Sequence, residues 1–202
     1  MRNIFLASLA SSFGVALLVF ALYPLFVWHF FYRPKIESQK IFLPLVQYEQ
    51  EELGGVIKSR ESTDIMDEFY LSVPRLGIEE AKVQVASTDF LSSLAHHPES
   101  VLPGEQGNVF ITGHSMLPQF FNPKNYLGIF STLHTLERGD EIVVSAPEEK
   151  RFRYIVIGMT VIDAKDTWII RSPDKEGHYV SLLTCTPPGF TTQRLVVLGK
   201  QV

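Results

Sequence analysis

Polar and apolar residues alternate along much of the chain after residue 68, and alternation at period two marks a half-buried strand. The segment "EAKVQVAS" shows it most plainly, while "FYLSVPRLGI" is a short apolar run interrupted by Pro74 and closed by Gly77. "NVFITG", "DEIVVSA", "RFRYIVIGMTVI", "WIIRS", "HYVSLLTC" and "RLVVLGK" follow, rich in Val, Ile, Phe and Tyr and bounded by Gly, Pro, Asp and Asn. Many short strands spaced by turns predict an all-β fold, a sandwich or a barrel. Helical spacing is scarce. "DFLSSLAHHPES" predicts one short helix, and "IFSTLHTLERGD" a second, with Phe130, Leu133 and Leu136 three apart and Gly139 as its C-cap.

The front of the chain has a different pattern. From Ile4 to Tyr32 there is no Asp, Glu, Lys or Arg. At 1.5 Å per residue such a run exceeds the roughly 30 Å hydrocarbon core of a bilayer. It is too long for the apolar region of a cleaved signal peptide, and no small-x-small cleavage site precedes Arg33. A retained transmembrane helix over residues 1–32 is the expectation, with Trp28, Phe30, Phe31 and Tyr32 meeting the headgroups. Arg2 on one side and Arg33 and Lys35 on the other leave its orientation open. Residues 33–68, including "YEQEELGGVIKSRESTDIMDE", read as an extracytoplasmic stem or linker, and residues 69–202 as one domain with a single core.

Composition narrows the chemistry. The net charge is −4 with no long basic run, which argues against nucleic acid as a partner. Cys185 is the only cysteine, so no internal disulfide forms. A lone cysteine is ordinarily a small buried hydrophobe, and a chemical role has to come from its neighbours. "HYVSLLTC" ends at Cys185 and "RLVVLGK" begins at Arg194; the "TPPGFTTQ" between them cannot continue a strand, because Pro187 and Pro188 donate no ladder hydrogen bonds. Paired antiparallel, the two strands would put Cys185 and Arg194 side by side at one rim of the sheet. A thiol there needs a base or a cation to become a nucleophile. Of the 6 histidines, His114 follows "NVFIT" and Gly113 and so also stands just past a strand end. His29 is in the anchor, His96 and His97 lie in a loop-like stretch, and His134 and His178 carry no supporting signature.

"NVFITGHS", "SLLTCTP" and "QRLVVLGK" resemble the three signature segments of the sortases, membrane-anchored cysteine transpeptidases of bacterial surfaces. "LSVPRLGI", "VLPGEQGNV" and "FSTLHTLERGDEIVV" resemble further segments of that family, so the likeness covers roughly residues 69–202. It implies an eight-stranded β-barrel, with His114, Cys185 and Arg194 as the catalytic trio and Thr184 lining the substrate groove. It also implies an anchor with its amino terminus inside, which places the domain outside the cell. Ser181 stands where the family usually has Thr, and Ser115 follows the histidine where Arg is common. Ser115 is a candidate substrate contact or a turn-forming serine; "MLPQFFNPKNYLG" after it is an atypical loop, read as surface rather than lid. The compact Cys185-to-Arg194 interval is similar to the housekeeping-type and pilin-type classes, which leaves class E-, D- or C-like membership open.

What the resemblance implies is cleavage of an LPxTG-like sorting signal in secreted proteins through a thioacyl enzyme. The acyl half then passes to an amine, on a peptidoglycan precursor or a pilin subunit. No cofactor is implied, and no metal: neither HExxH nor CxxC spacing occurs, and no acidic cluster is assigned to calcium. Two other readings remain at this point. One is a different cell-wall cysteine acyl transferase such as an L,D-transpeptidase, whose His- and Gly-rich cysteine segment "SLLTCTPPG" does not resemble. The other is a non-catalytic, membrane-tethered β-domain that binds a surface partner.

Overall fold

The computed structural model describes residues 2–27, 29–30, 33, 36, 66–166, 168–174 and 176–202. The expected stem, apart from its two ends, and Trp28, Phe31 and Tyr32 of the aromatic cluster lie outside them. Two compact units divide the chain at Ser38 and Gln39. In the first, helix α1 spans Arg2–Val27. Phe13, Val15, Leu17, Leu18, Phe20, Leu22 and Tyr23 are all exposed, and at 100° per residue they are spread around the whole helix. Over the described residues no helix is long and apolar enough to cross a membrane.

The second unit is a closed barrel of eight strands: β1 Glu68–Val73, β2 Ile78–Val85, β3 Leu94–His96, β4 Gly107–Thr112, β5 Glu141–Ser145, β6 Arg151–Asp163, β7 His178–Thr186 and β8 Gln193–Gln201. Their order around the barrel is β1-β2-β3-β4-β7-β8-β6-β5, and β5 pairs back onto β1. Closure gives every strand a neighbour on each side. The pairs β2/β3 and β4/β7 are parallel and the others antiparallel. The long strand β6 serves both β5 and β8; a bulge between Val156 and Gly158 bends it between the two.

Alternation in β7 sets the division of labour. Val180, Leu182, Thr184 and Thr186 are all buried, whereas Leu183 and Cys185 on the other face are only partly covered. The first row joins the interior with Phe69, Leu71, Ile111, Ile142 and Val197. Outside the barrel a second, smaller cluster forms from Phe110, Ile162, Ile169 and Val196, with Ile170 and Leu183 packed against it.

Three local expectations change. "WIIRS" is not a strand: Trp168–Ile170 forms a 3₁₀ helix. Ile169 caps the outer cluster, and the Ile169 and Ile170 carbonyls accept hydrogen bonds from Asn108 Nδ2 at 3.3 and 3.2 Å, so these groups need no ladder. "DFLSSLAHHPES" is not a helix either. Asp89 turns the chain once, accepting from Leu91 N and Ser92 Oγ, and Leu94–His96 then becomes β3 between β2 and β4. Burial of Leu94 and Ala95 on a strand flanked on both sides outweighs the local helical signal. In "IFSTLHTLERGD" only Leu133–Thr135 is helical, and it is 3₁₀. Spacing of three suits that helix, with its 3.0 residues per turn, and Phe130, Leu133 and Leu136 are all buried. Gly139, at φ +97°, donates its N–H to Val156 instead of capping a helix.

Candidate active site

The hairpin β7/β8 pairs Cys185 directly with Arg194 and Thr186 with Gln193. Pro187 and Pro188 then end the ladder, as the sequence requires. On the other flank of β7, β4 runs parallel in the register Ile111↔Leu182 and Thr112↔Leu183. The backbone continues alongside past the last pair: Gly113 N donates to the Leu183 carbonyl at 3.1 Å. Extended by two places, that register sets His114 level with Cys185. Ile162 of β6 lies opposite Arg194. His114, Cys185, Arg194 and Ile162 thus form one row across four adjacent strands, and side chains in a row share a face. The three polar members are all partly exposed, directly above the outer apolar cluster.

Hydrogen bonds from neighbouring side chains hold this row. Thr184 Oγ1, on the buried face, donates to the Gly113 carbonyl at 2.8 Å. Ser115 Oγ donates to the Cys185 carbonyl, also at 2.8 Å. These two bonds brace β7 against the chain leaving β4 on either side of His114. Thr184 is 2% exposed, so the structure makes it a buried strut and not an exposed surface contact. Arg194 Nη1 donates to the carbonyls of Thr191 and Gln193 at 2.9 and 3.1 Å, which draws the guanidinium to the rim. A Cβ on Gly113 would stand 2.5 Å from Leu94 Cδ2 and 2.7 Å from Phe130 Cδ2. Only glycine lets β3 and Phe130 close around this turn.

The loop after His114 is structured. Met116 N donates to Ser131 Oγ, Lys82 N donates to the Tyr126 hydroxyl, and Pro118–Phe120 is a 3₁₀ helix. Its Leu117 side chain lies beside Gly189 of the β7–β8 loop: a Cβ there would be 3.6 Å from Leu117 Cδ2. On the opposite flank of the site stands a residue that sequence reasoning missed. Phe90, in the β2–β3 connection, meets the His114 ring edge to face with centroids 5.5 Å apart. Nothing in "DFLSSL" signals it, because the contact depends on where β3 is threaded. Of the remaining histidines, His134 is buried in the 3₁₀ turn and His96 is buried in β3. His178 Nδ1 lies 2.9 Å from the Glu105 carbonyl at the far end of β7. Among the described residues no three His, Cys, Asp or Glu cluster as metal ligands.

Comparison with known proteins adds a family to this geometry. A family model described as a sortase domain matches residues 71–202. Sortase D of Bacillus subtilis is 26% identical over 138 residues, covering 65% of this chain. The match spans 62% of that relative's length. Among solved structures, sortase C1 of Streptococcus agalactiae in complex with MTSET superimposes with a TM-score of 0.58 at 23% identity, over 68% of this chain and 70% of that one. Sortase C-1 of Actinomyces oris gives 0.57 at 26% identity, over 69% and 76%. At such identities the likeness to the solved structures speaks for the fold.

Proposed function

The chain belongs to the sortase family, and from that premise we propose that it is a cysteine transpeptidase acting on LPxTG-like sorting signals in secreted proteins. The observation that carries the reading is the cross-strand row: Cys185 opposite Arg194, with His114 brought level by the parallel β4/β7 register. A half-exposed thiol at a loop mouth, a histidine and an arginine on one face are the parts an acyl transfer needs.

The Cys185 thiolate attacks the scissile carbonyl, and the carbonyl π electrons move onto oxygen. Collapse of that oxyanion breaks the C–N bond and leaves a thioacyl enzyme, while His114 as imidazolium gives its proton to the departing amine. His114, now neutral, takes a proton from the incoming amine, which attacks the thioester and releases the Cys185 thiolate. Arg194 supplies a planar guanidinium with several N–H donors. Its Nη1 is held by the Thr191 and Gln193 carbonyls, leaving the Nη2 and Nε donors for the developing oxyanion. Thr184 and Ser115 hold the strand ends on which the trio stands, and Ser115 keeps an acceptor lone pair for substrate.

The acceptor amine belongs to a peptidoglycan precursor or a pilin subunit. The apolar front segment, residues 1–32, anchors the protein as a single pass with its amino terminus in the cytoplasm, residues 33–68 serve as stem, and the barrel acts outside. Support for the anchor is the uncharged Ile4–Tyr32 run, together with apolar side chains exposed on every side of α1. The deciding experiment incubates the full chain, in detergent micelles, with a panel of LPxTG-like peptides and hydroxylamine. Acyl hydroxamates and a peptide adduct on Cys185, both absent in Cys185→Ala, are expected by mass spectrometry. No product from folded protein whose thiol resists a methanethiosulfonate reagent would move the assignment to a non-catalytic binding domain.

A further inference from the structure

The connection between β2 and β3 carries a device that the trio does not include. Strand β3 pairs antiparallel with β4, Ala95 opposite Thr112. Continuing that register sets Leu94 beside Gly113, consistent with the 2.5 Å approach of Leu94 Cδ2 to a Cβ there. The residues just before β3 therefore pass over the chain that carries His114. They are not slack. Asp89 accepts from Leu91 N at 2.9 Å and from Ser92 Oγ at 2.5 Å; its carbonyl accepts from Ser93 Oγ, and its N–H donates to Ser87 Oγ. Phe90 sits inside this turn, so its backbone is set by the bonds on both sides. Its ring is half-buried, and Leu91 beside it points to solvent.

Resting on the transpeptidase reading above, we propose that Phe90 is a positioning residue for His114. Its ring holds the imidazole plane toward Cys185 and covers the imidazole on the β2–β3 side. His114 stands just past the end of β4, where the ladder has stopped, and its backbone carbonyl accepts from Phe130 N at 3.1 Å. That bond fixes the His114 backbone and leaves the ring free to turn about its side-chain bonds. An edge-to-face neighbour favours one ring plane over others. A proton donor 1 Å or a few tens of degrees out of place loses much of its value. An apolar cover also keeps water from the thioester on that side, so that the amine acceptor is favoured over hydrolysis.

The test compares Phe90→Leu, which keeps volume and loses the ring, with Phe90→Tyr, which keeps the ring, in the full chain in micelles. In the leucine variant kcat for hydroxamate formation is expected to fall about five- to tenfold with KM within about twofold, and hydrolysed product to rise. The tyrosine variant is expected within about twofold of wild type. In parallel, NMR of histidine-labelled protein reads the His114 ring protons, which lie in the ring-current field of Phe90. Their signals should move in Phe90→Leu and return in Phe90→Tyr. Wild-type turnover and partition in the leucine variant would overturn the positioning role even if the signals move, since the contact would then be packing alone. Unmoved His114 signals in a folded leucine variant would overturn the contact itself. Should wild type turn over no peptide, the transpeptidase reading falls by itself, and the NMR comparison still decides whether Phe90 orders His114.

Discussion

The two ends of strand β7 use polar side chains in opposite ways. At its start, the Tyr179 hydroxyl donates to the Asp174 carboxylate, the Gly177 N–H binds the same carboxylate, and Lys200 lies over the Tyr179 ring at 5.6 Å. Asp174, Tyr179 and Lys200 are each spent on a neighbour there, and the result ties the β6–β7 loop to the barrel. At the other end the binding is delegated. Thr184 and Ser115 make the structural bonds, to backbone carbonyls, while His114, Cys185 and Arg194 stay partly exposed around a common row. A polar cluster that satisfies itself stabilises a fold. Groups that are positioned by others, with capacity left over, can act on something else.

This contrast is sharpened first at Cys185. Cys185→Ala is expected to abolish acyl hydroxamate formation while the melting temperature stays within about 2 °C, because the residue is only partly buried and the change removes one sulfur atom. Next, Arg194→Lys keeps the charge and loses the fork. Turnover is expected to drop about 10²- to 10³-fold with little change in melting, and wild-type turnover in this variant would sink the oxyanion role. A smaller effect is expected where the two functions meet. Thr184→Val leaves the Gly113 carbonyl without its 2.8 Å donor, so about 1 kcal/mol of stability and about tenfold in turnover should go together, read by denaturant unfolding and by kinetics.

The smallest effect on activity is expected at the far end. Burial and the Asp174 bond push the Tyr179 hydroxyl up to about 12 from an ordinary 10.0. A raised pKa gives stability that is complete below the unfolded value and is lost as pH climbs through the folded one. The Tyr179 bond and the Gly177 N–H hold Asp174 below its usual 3.8, so its contribution is present above that value and is lost as pH falls through the lowered one. Tyr179→Phe should therefore leave turnover unchanged and lower stability by about 1 kcal/mol near neutrality. The gap to wild type should close at both extremes of a pH series of urea melts. Altered turnover in this variant would break the comparison between the ends.

The residues themselves show why some of this was legible and some was not. Seven of the eight strands could be read from their alternation and boundaries, because period two is a property of each segment alone. The eighth could not: Leu94–His96 is three residues long and takes its strand conformation from β2 and β4 on either side. "WIIRS" erred the other way, since the Asn108 amide and the outer cluster, not a ladder, satisfy it. The pairing of Cys185 with Arg194 was readable because a hairpin is local, with a proline pair to end one strand. That His114 ends a strand was equally readable.

What the sequence by itself determined is therefore the set of strands, the apolar front segment, the hairpin that joins thiol to guanidinium, and the family likeness of the motifs. Tertiary structure decided the rest. It set β4 parallel to β7, which brings His114 level with a cysteine 71 residues away in the chain. It also turned Thr184 inward as a strut and threaded β3 so that Phe90 meets His114. The physical reason is the same in each case. Period and turn chemistry are written within a few neighbouring residues, whereas which strands lie side by side depends on the burial of the whole barrel.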